Sequence, residues 1–377
     1  MNKKALYVHI PFCKSKCNYC DFNSFNANEK LMDEYIQALI KEMTLTKDKI
    51  DILDTIFIGG GTPSILSLKN IEKLLRGIYE NFSIKDDCEI TMESNPKTLN
   101  LEKLKLLKSL KINRLSMGVQ AVSDKNLKFL GRIHSFEDAK KMYNEALKVG
   151  FSNINIDMMF SYPNQSLKEW KHALEEVLKL NPKHLSIYSL ILEEGTKLYD
   201  LYEEGSIEIL DDQLDRQMYY FARDILEQNG YHQYEISNFA KDDYECEHNK
   251  IYWRCEEYLG IGLSAHSYLN SKRFYNKSNI DEYIKDLENE KLPIKEIKDL
   301  TLDEKIEEKI FMNLRMNEGL SLDEFYKLFD IKLENLYSKE IEKLLKDELV
   351  VIKDGVIKLS KRGIDLSNKV FIEFLRT

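Results

Sequence analysis

The sequence predicts an α/β protein built on a parallel sheet, with the topology of a complete or partial (βα)6 barrel. Two observations predict this fold. Six apolar or β-branched runs of strand length recur over the first 235 or so residues, and helical patterns separate them. Strands that alternate with helices form βαβ units, which place the strands parallel in one sheet. The six runs are Ala5–Ile10, Thr55–Ile58, Cys88–Met92, Arg114–Val119, Asn153–Met158 and His184–Leu190.

The predicted helices between these strands each carry one apolar face. Two of these faces are formed by Ile36, Leu39, Ile40 and Met43, and by Ile71, Leu74, Leu75 and Ile78. This i, i+3, i+4, i+7 spacing is typical of a helix that packs one side against a sheet. Ser166 followed by Glu169 is a capping-box pair, which predicts the start of a third helix.

The pattern changes twice after the predicted barrel, which divides the chain into three regions. Residues 1–235 form the barrel domain, and residues 236–300 are rich in Tyr, Asn and charge with only short periodic segments. We interpret this second region as an extension packed on the barrel. Residues 301–377 form a C-terminal domain with stronger helical patterns.

The C-terminal region is predicted to be a mostly helical, winged-helix-like domain. Two capping-box pairs, Thr301/Glu304 and Ser321/Glu324, precede helical patterns. Asp354-Gly355 separates two apolar runs and predicts a hairpin with a primed turn, since both positions favour positive φ. A last helix is expected to carry Ile364, Val370, Phe371 and Phe374.

Composition and charge exclude several classes of protein. The 377 residues carry a formal net charge of −9 and no long Lys/Arg block, which argues against nucleic acid as the main partner, even for a winged-helix-like domain. No apolar run approaches the length of a transmembrane helix, and the N-terminal run is too short for a signal peptide. We therefore expect a cytoplasmic protein.

Cys13, Cys17 and Cys20 follow the first predicted strand within one short loop. The carboxyl ends of barrel strands carry the active site in α/β barrels, so the loop is well placed for chemistry. Three thiolates can ligate three irons of a [4Fe–4S] cube and leave one iron open. The alternative is a zinc site with His9 as the fourth ligand.

Further polar or glycine residues follow the other predicted strands. Gly59-Gly60-Gly61-Thr62-Pro63 follows the second strand, where bare glycines allow close approach to a ligand. Glu93, Gln120 and Asp157 end the third, fourth and fifth strands, and Arg132 follows Gln120. We expect these groups to lie on the same rim as the cysteines.

The run from Tyr7 to Cys20, Tyr-Val-His-Ile-Pro-Phe-Cys-Lys-Ser-Lys-Cys-Asn-Tyr-Cys, resembles the opening of the radical-SAM enzymes. Within them it is similar to the branch that contains oxygen-independent coproporphyrinogen III oxidase and the HemW haem chaperones. The resemblance covers essentially the whole chain. It implies a radical-SAM partial barrel, a [4Fe–4S] cluster, S-adenosylmethionine as cofactor, and reductive cleavage of its sulfonium.

The resemblance also implies roles for individual residues. Tyr7, Gly60, Gly61, Thr62 and Glu93 match positions that contact the first S-adenosylmethionine. Gln120, Arg132 and Asp157 match a second site, which belongs to the oxidase, and Ile191 and His266 fall at further contacts of that enzyme.

Two features separate the branches. The oxidase has a further cysteine two residues past the third cluster ligand, where this chain has Phe22, so oxidase activity is not expected. His248-Asn249-Lys250-Ile251-Tyr252-Trp253 matches the HNxxYW motif of the HemW branch, which is implicated there in haem binding. Imidazole can ligate haem iron, so His248 is a candidate haem ligand. The alternative is that His248 only packs between aromatic residues. Cys246 and Cys255 flank the motif. The sequence leaves open whether they are ligands, attachment points or packing residues.

The resemblance therefore implies a haem chaperone that passes haem to an acceptor protein. The alternative is a radical-SAM oxidative decarboxylase acting on coproporphyrinogen III or a related substrate. Acceptors such as respiratory enzymes lie at membranes, so peripheral attachment there is compatible with the role, but no basic amphipathic helix argues for it.

Overall fold

Six parallel strands form the centre of one sheet in the structure, a computed structural model that describes residues 3–376. The strands are β1 (Lys4–Ile10), β2 (Ile52–Gly60), β3 (Ser83–Ser94), β4 (Arg114–Gln120), β5 (Asn153–Phe160) and β6 (His184–Ser189). Each pairs in parallel with the next along the chain. All six predicted strands are therefore confirmed, in the predicted order.

Helices connect these strands and cover one face of the sheet. They are α1 (Glu29–Thr46), α2 (Leu68–Asn81), α3 (Leu101–Ser109), α4 (Asp124–Phe129), α5 (Phe136–Val149) and α6 (Leu167–Leu178), with short 3₁₀ turns at Lys47–Lys49 and Pro63–Ile65. The predicted apolar faces of α1 and α2 pack against the sheet in the main hydrophobic core. The Ser166/Glu169 capping box is formed in both directions at the start of α6.

The chain after β6 lengthens the same sheet at both edges. The further elements are α7 (Lys197–Glu203), α8 (Asp212–Gln228), β7 (His232–Glu235), β8 (Asn238–Ala240), α9 (Glu247–Trp253), β9 (Glu257–Ile261), β10 (His266–Leu269), β11 (Lys272–Asn276), α10 (Ile280–Glu288) and β12 (Ile294–Asp299). The strand order is β12-β11-β10-β9-β1-β2-β3-β4-β5-β6-β8-β7. The 235/236 boundary thus falls inside the β7–β8 hairpin.

The C-terminal residues form a second body with its own hydrophobic core. Its elements are α11 (Leu302–Arg315), β13 (Leu320–Ser321), α12 (Leu322–Phe329), α13 (Leu333–Leu336), α14 (Ser338–Lys346), β14 (Val350–Lys353), β15 (Val356–Leu359), α15 (Lys361–Asp365) and α16 (Ser367–Glu373). The strands form a three-stranded sheet beside the helices, as a winged-helix-like domain requires.

The hairpin turn, the helix caps and the last helix of this domain were each predicted from the sequence. Asp354 and Gly355 have φ of 51° and 75°, so the predicted hairpin turn is confirmed. The Thr301/Glu304 box is formed in both directions, whereas Ser321 only accepts from the backbone of Glu324. The prediction of a single last helix is wrong, because the chain leaves helical geometry at Leu366 and forms α15 and α16 instead.

A buried carboxyl group joins the sheet extension to the barrel. Glu42 of α1 is 2% exposed and accepts hydrogen bonds from the Gly262 amide at 2.9 Å, from Asn276 Nδ2 at 2.6 Å and from the Tyr283 hydroxyl. These partners come from the β9–β10 connection, β11 and α10. Burial raises the pKa of Glu42 to about 7, although the three hydrogen bonds oppose that rise.

Among the helices of residues 3–376, none is both long and apolar enough to cross a membrane.

Replacing Glu42 with alanine should destabilise the fold, because three buried donors lose their acceptor. We expect the Glu42→Ala variant to lose about 3 kcal/mol of unfolding free energy, measured by anaerobic urea denaturation. Glu34→Ala on the same helix removes only an exposed ion pair with Lys30 and should cost about 0.5 kcal/mol or less. Equal losses in the two variants would contradict the role of Glu42.

The same carboxyl group predicts a pH dependence of stability. Since the pKa of Glu42 is raised in the folded chain, the folded state keeps a proton that the unfolded state has released. This contribution is complete below the ordinary glutamate pKa and is lost as the pH rises to about 7. Urea unfolding between about pH 5 and 8 should show a flatter profile for Glu42→Gln than for the wild type. Parallel profiles would contradict the assignment.

Candidate functional site

The loop with the three cysteines is held in place by backbone hydrogen bonds on both sides. Cys13 N donates to Phe25 O at 2.9 Å, and Phe25 N donates to Pro11 O at 2.9 Å. Further along the loop, Asn18 donates from its backbone to Leu130 O at 3.0 Å. The loop therefore spans from the end of β1 to the segment that follows α4.

The three thiols lie on one wall of a cavity of about 380 Å³. Cys13, Cys17 and Cys20 are partly buried and free of disulfides. Cys13 Sγ lies 3.5 Å from Thr62 Oγ1, and Arg132 Nη1 lies 3.5 Å from Cys17 Sγ. The Arg132 guanidinium therefore lies beside one of the three candidate cluster ligands.

The zinc alternative fits this arrangement poorly. No three His, Cys, Asp or Glu side chains within residues 3–376 come close enough together to hold a single ion. His9, the expected fourth ligand, donates from Nε2 to Asn23 O at 3.2 Å and accepts at Nδ1 from the Tyr7 hydroxyl at 3.0 Å. Thiols spread along one loop fit a cube, in which each thiolate ligates a different iron.

The glycine turn after β2 lies directly against the cysteine loop. Gly61 N donates to Ile10 O at 2.8 Å, and Thr62 N donates to Phe12 O at 2.8 Å. A Cβ at Gly61 would fall 2.8 Å from Phe12 O, so no side chain fits there. Gly60 has φ of +108°, and a Cβ there would fall 2.5 Å from the His9 ring.

Two carboxyl groups face the same cavity. Glu93 Oε2 accepts from Gly60 N at 3.0 Å, and Asp157 Oδ1 accepts from Asn155 Nδ2 at 2.7 Å. Desolvation, and then the charge of Asp157, raise the pKa of Glu93 to about 8. Desolvation also raises the pKa of Asp157. These carboxyl groups are suited to pair with a cationic ligand, whose charge would favour their ionised forms.

Gln120 and Arg132 bring polar atoms without partners to the cavity wall. Among the described residues, Gln120 Oε1 and Arg132 Nε have no hydrogen-bond partner. Gln120 also has φ of +71°, which a residue with a side chain rarely adopts. Buried polar atoms normally have partners, so these two fit a polar ligand in the cavity.

Sequence reasoning missed the polar group around Asp157. Asn155 donates to Ser116 Oγ at 2.8 Å, and the Tyr188 hydroxyl donates to Asp157 at 3.2 Å. Ser186 donates to Asn155 Oδ1 at 3.1 Å. A signal was present, because polar residues recur at every second position of β4, β5 and β6, which places them on the inner face.

Three other predicted contacts lie outside the cavity wall. Tyr7 lies on β1 beneath it, with its hydroxyl on His9. Ile191 follows β6 and is 69% exposed, and His266 is an exposed residue at the start of β10, stacked on Tyr275. None of the three is among the cavity-lining residues.

His248 does not lie where a haem ligand is expected. It is 1% exposed on α9, and both ring nitrogens have partners at 2.8 Å, Thr55 Oγ1 for Nδ1 and the Tyr252 hydroxyl for Nε2. Burial lowers the pKa of His248 to about 3. Neither ring nitrogen is free or accessible in this arrangement, so the structure gives no support to ligation of haem iron by His248.

The two cysteines beside the motif lie in packed surroundings. Cys246 is fully buried, with its thiol 3.6 Å from Glu89 Oε1, and the Cys255 thiol lies 3.6 Å from Glu308 O. Burial raises the pKa of Cys246 to about 12 and that of Cys255 to about 11. Neither cysteine is among the residues that line the cofactor cavity.

The cavity fits the cofactors that the sequence predicts. Its volume is typical of small-molecule sites, which measure roughly 300–1,000 Å³. The cavity is lined by three thiols, two carboxyl groups and polar atoms without partners. This set of groups matches an iron–sulfur cluster beside a cationic, polar ligand. Cys13, Cys17 and Cys20 would hold the cluster, and Gly60, Gly61, Thr62 and Glu93 would contact S-adenosylmethionine.

Comparisons with known proteins identify the fold and the family of the chain. Residues 7–177 match the Radical SAM superfamily, and residues 300–366 match the HemN C-terminal domain. The solved structure of coproporphyrinogen III oxidase (HemN) from Escherichia coli superposes with a TM-score of 0.87 at 24% identity, covering 99% of this chain and 90% of that one. That likeness confirms the predicted α/β radical-SAM fold.

Sequence relatives identify the branch. The heme chaperone HemW of Bacillus subtilis is 38% identical over 375 residues, 99% of each chain. The heme chaperone HemW of Escherichia coli is 39% identical over 278 residues, 70% of this chain and 69% of the relative. Since the first match is full-length, this chain belongs to the HemW family of radical-SAM proteins.

Proposed function

We propose that the chain is a haem chaperone that binds haem, carries a [4Fe–4S] cluster with S-adenosylmethionine, and passes haem to an acceptor protein. The observation that carries this proposal is its full-length similarity to proteins named heme chaperone HemW. Phe22 supports it, since this side chain at the cavity rim is 59% exposed and offers no thiol where the oxidase has one.

The cluster loop and the glycine turn would hold the two cofactors side by side. Cys13, Cys17 and Cys20 would supply three thiolates to the cluster and leave one of its irons without a protein ligand. When bound, the reduced cluster supplies the electron for cleavage of the sulfonium. Gly60 and Gly61 leave room beside the cluster for the methionyl group, because any side chain there would clash.

The carboxyl groups would select a positively charged cofactor. Glu93 holds a proton at neutral pH while the cavity lacks a cation, because desolvation raises its pKa. The positive charge of S-adenosylmethionine favours loss of that proton. Gln120, Arg132 and Asp157 line the same cavity as Glu93, so they would contact the same ligand or one directly beside it.

The cavity rim provides an apolar surface for the macrocycle. Phe22 and Ile133 line the cavity and are 59% and 36% exposed. Exposed apolar side chains at the rim of a polar cavity are typical of a binding surface. Haem would cover them without entering the buried position of His248.

Loss of any one cluster cysteine should abolish the cluster. We expect Cys13→Ala, Cys17→Ala and Cys20→Ala to lose most iron and acid-labile sulfide after anaerobic reconstitution, since three thiolates are the minimum set. Cys88→Ala should keep both, because Cys88 is buried in β3 away from the cavity. A full cluster in Cys13→Ala, or a single zinc per chain in the wild type, would contradict the assignment.

Glu93→Gln should weaken binding of S-adenosylmethionine about tenfold or more, because the cation loses its carboxylate partner. In the wild type, affinity should rise between about pH 7 and 9 as Glu93 loses its proton more easily, and the variant should lack this rise. Isothermal titration calorimetry measures both effects. The exposed Glu102→Gln should match the wild type, and a Glu93→Gln variant that does the same would refute the role.

Two assays separate the chaperone from the decarboxylase. Anaerobic incubation with coproporphyrinogen III, S-adenosylmethionine and a reductant should yield no protoporphyrinogen, with a coproporphyrinogen III oxidase as positive control. Titration with haem should produce a saturable Soret band that persists in His248→Ala, since His248 is buried. Clear turnover of coproporphyrinogen III, or the absence of a saturable band in the wild type, would overturn the proposed function.

A further inference from the structure

The HNxxYW segment forms α9, which closes the end of the sheet opposite the cysteine loop. The backbone amides of Glu247 and His248 donate to the Glu89 carboxylate at 3.3 and 3.2 Å. Glu89 lies beside Thr55 on the neighbouring strand, and both point to the inner face that carries Glu93 further along β3. The motif therefore lies directly beneath the cofactor cavity.

His248 supports an aromatic stack on this inner face. Its ring centroid lies 5.1 Å from that of Phe57, and the Phe57 centroid lies 6.4 Å from that of Tyr7, with rings nearly parallel. Thr55 and Tyr252 hold the imidazole from opposite sides through its two nitrogens. The orientation of the ring is thus fully determined by its neighbours.

Phe57 in turn determines the position of the glycine turn. A Cβ at Gly59 would fall 2.8 Å from Phe57 Cε1 and 3.0 Å from the Glu93 carboxyl carbon. Gly59 therefore lies in close contact with both side chains, and the next residue, Gly60, donates to Glu93. A shift of Phe57 toward the turn would displace Gly59, and with it the Gly60 amide that donates to Glu93.

The last residue of the motif faces the C-terminal domain. Asn313 Nδ2 of α11 donates to Trp253 O at 2.7 Å, and the Arg315 guanidinium lies 4.7 Å from the Trp253 ring centroid. The motif thus spans from α11 to the underside of the cofactor cavity.

We propose that the HNxxYW segment is a positioning element for the cofactor site. His248 holds Phe57 in place, and Phe57 in turn holds the Gly59–Gly60 turn and Glu93 in the positions that binding of S-adenosylmethionine requires. This role rests on one part of the proposed function, namely that S-adenosylmethionine binds in this cavity. Haem binding does not depend on the His248 imidazole.

The test removes the two hydrogen-bond partners of His248 one at a time and leaves the imidazole in place. Thr55→Val and Tyr252→Phe should each weaken binding of S-adenosylmethionine about threefold to tenfold, with a larger loss in His248→Ala. The change that S-adenosylmethionine causes in the electron paramagnetic resonance spectrum of the reduced cluster should be altered in all three. Haem affinity should stay at the wild-type value.

Two matched variants control for loss of a buried hydroxyl elsewhere. Thr46→Val removes a buried hydroxyl bonded to Glu42 O, and Tyr231→Phe removes one bonded to Pro182 O, both away from the cavity. Both should keep the wild-type cofactor affinity and spectrum.

Wild-type cofactor affinity and spectrum in both Thr55→Val and Tyr252→Phe would overturn the positioning role, as would selective loss of the haem Soret band in His248→Ala. Failure of the wild type to bind haem would reject the proposed function, while the cofactor measurements would still decide this inference.

Discussion

The Gly60 amide donates to the Glu93 carboxylate, and Gly60 itself adopts a φ of +108°, which residues with a side chain disfavour. The same turn brings Gly61 against the backbone of Phe12, so the glycine turn and the cysteine loop lie in contact. Thr62 then lies beside Cys13. The cavity, its thiols and its carboxylates all depend on this close backbone approach, since a side chain at either glycine would separate the two loops.

Much of this architecture could be predicted from the sequence. The runs of apolar residues are strong where strands are buried on both faces, so all six parallel strands were found. The short strands of the extension were missed, because β8 has three residues and β12 is exposed along most of its length. Their apolar pattern is too short or too weak to indicate a strand, and pairing with the sheet edges stabilises them instead.

Some residues of the site could likewise be predicted from the sequence, and others could not. Glu93, Gln120 and Asp157 were found because each lies at or near the carboxyl end of a predicted strand, where barrel sites form. The polar group around Asp157 was missed, since Asn155 and Tyr188 are ordinary strand residues until their common face is known. His248 could not be assigned from the sequence, because an imidazole among aromatic residues suits both haem ligation and packing. Only its burial and its two hydrogen bonds separate these roles, and both depend on tertiary contacts.

The central claim is that this chain passes haem to an acceptor, and the rate of transfer tests it most directly. Haem-loaded chain would be mixed with an apo-cytochrome acceptor or with apomyoglobin, which only scavenges haem that dissociates by itself, and the Soret spectrum followed in time. A chaperone predicts transfer to the acceptor that is faster than loss to apomyoglobin and that rises with acceptor concentration. Equal, concentration-independent rates would show passive dissociation and contradict the account.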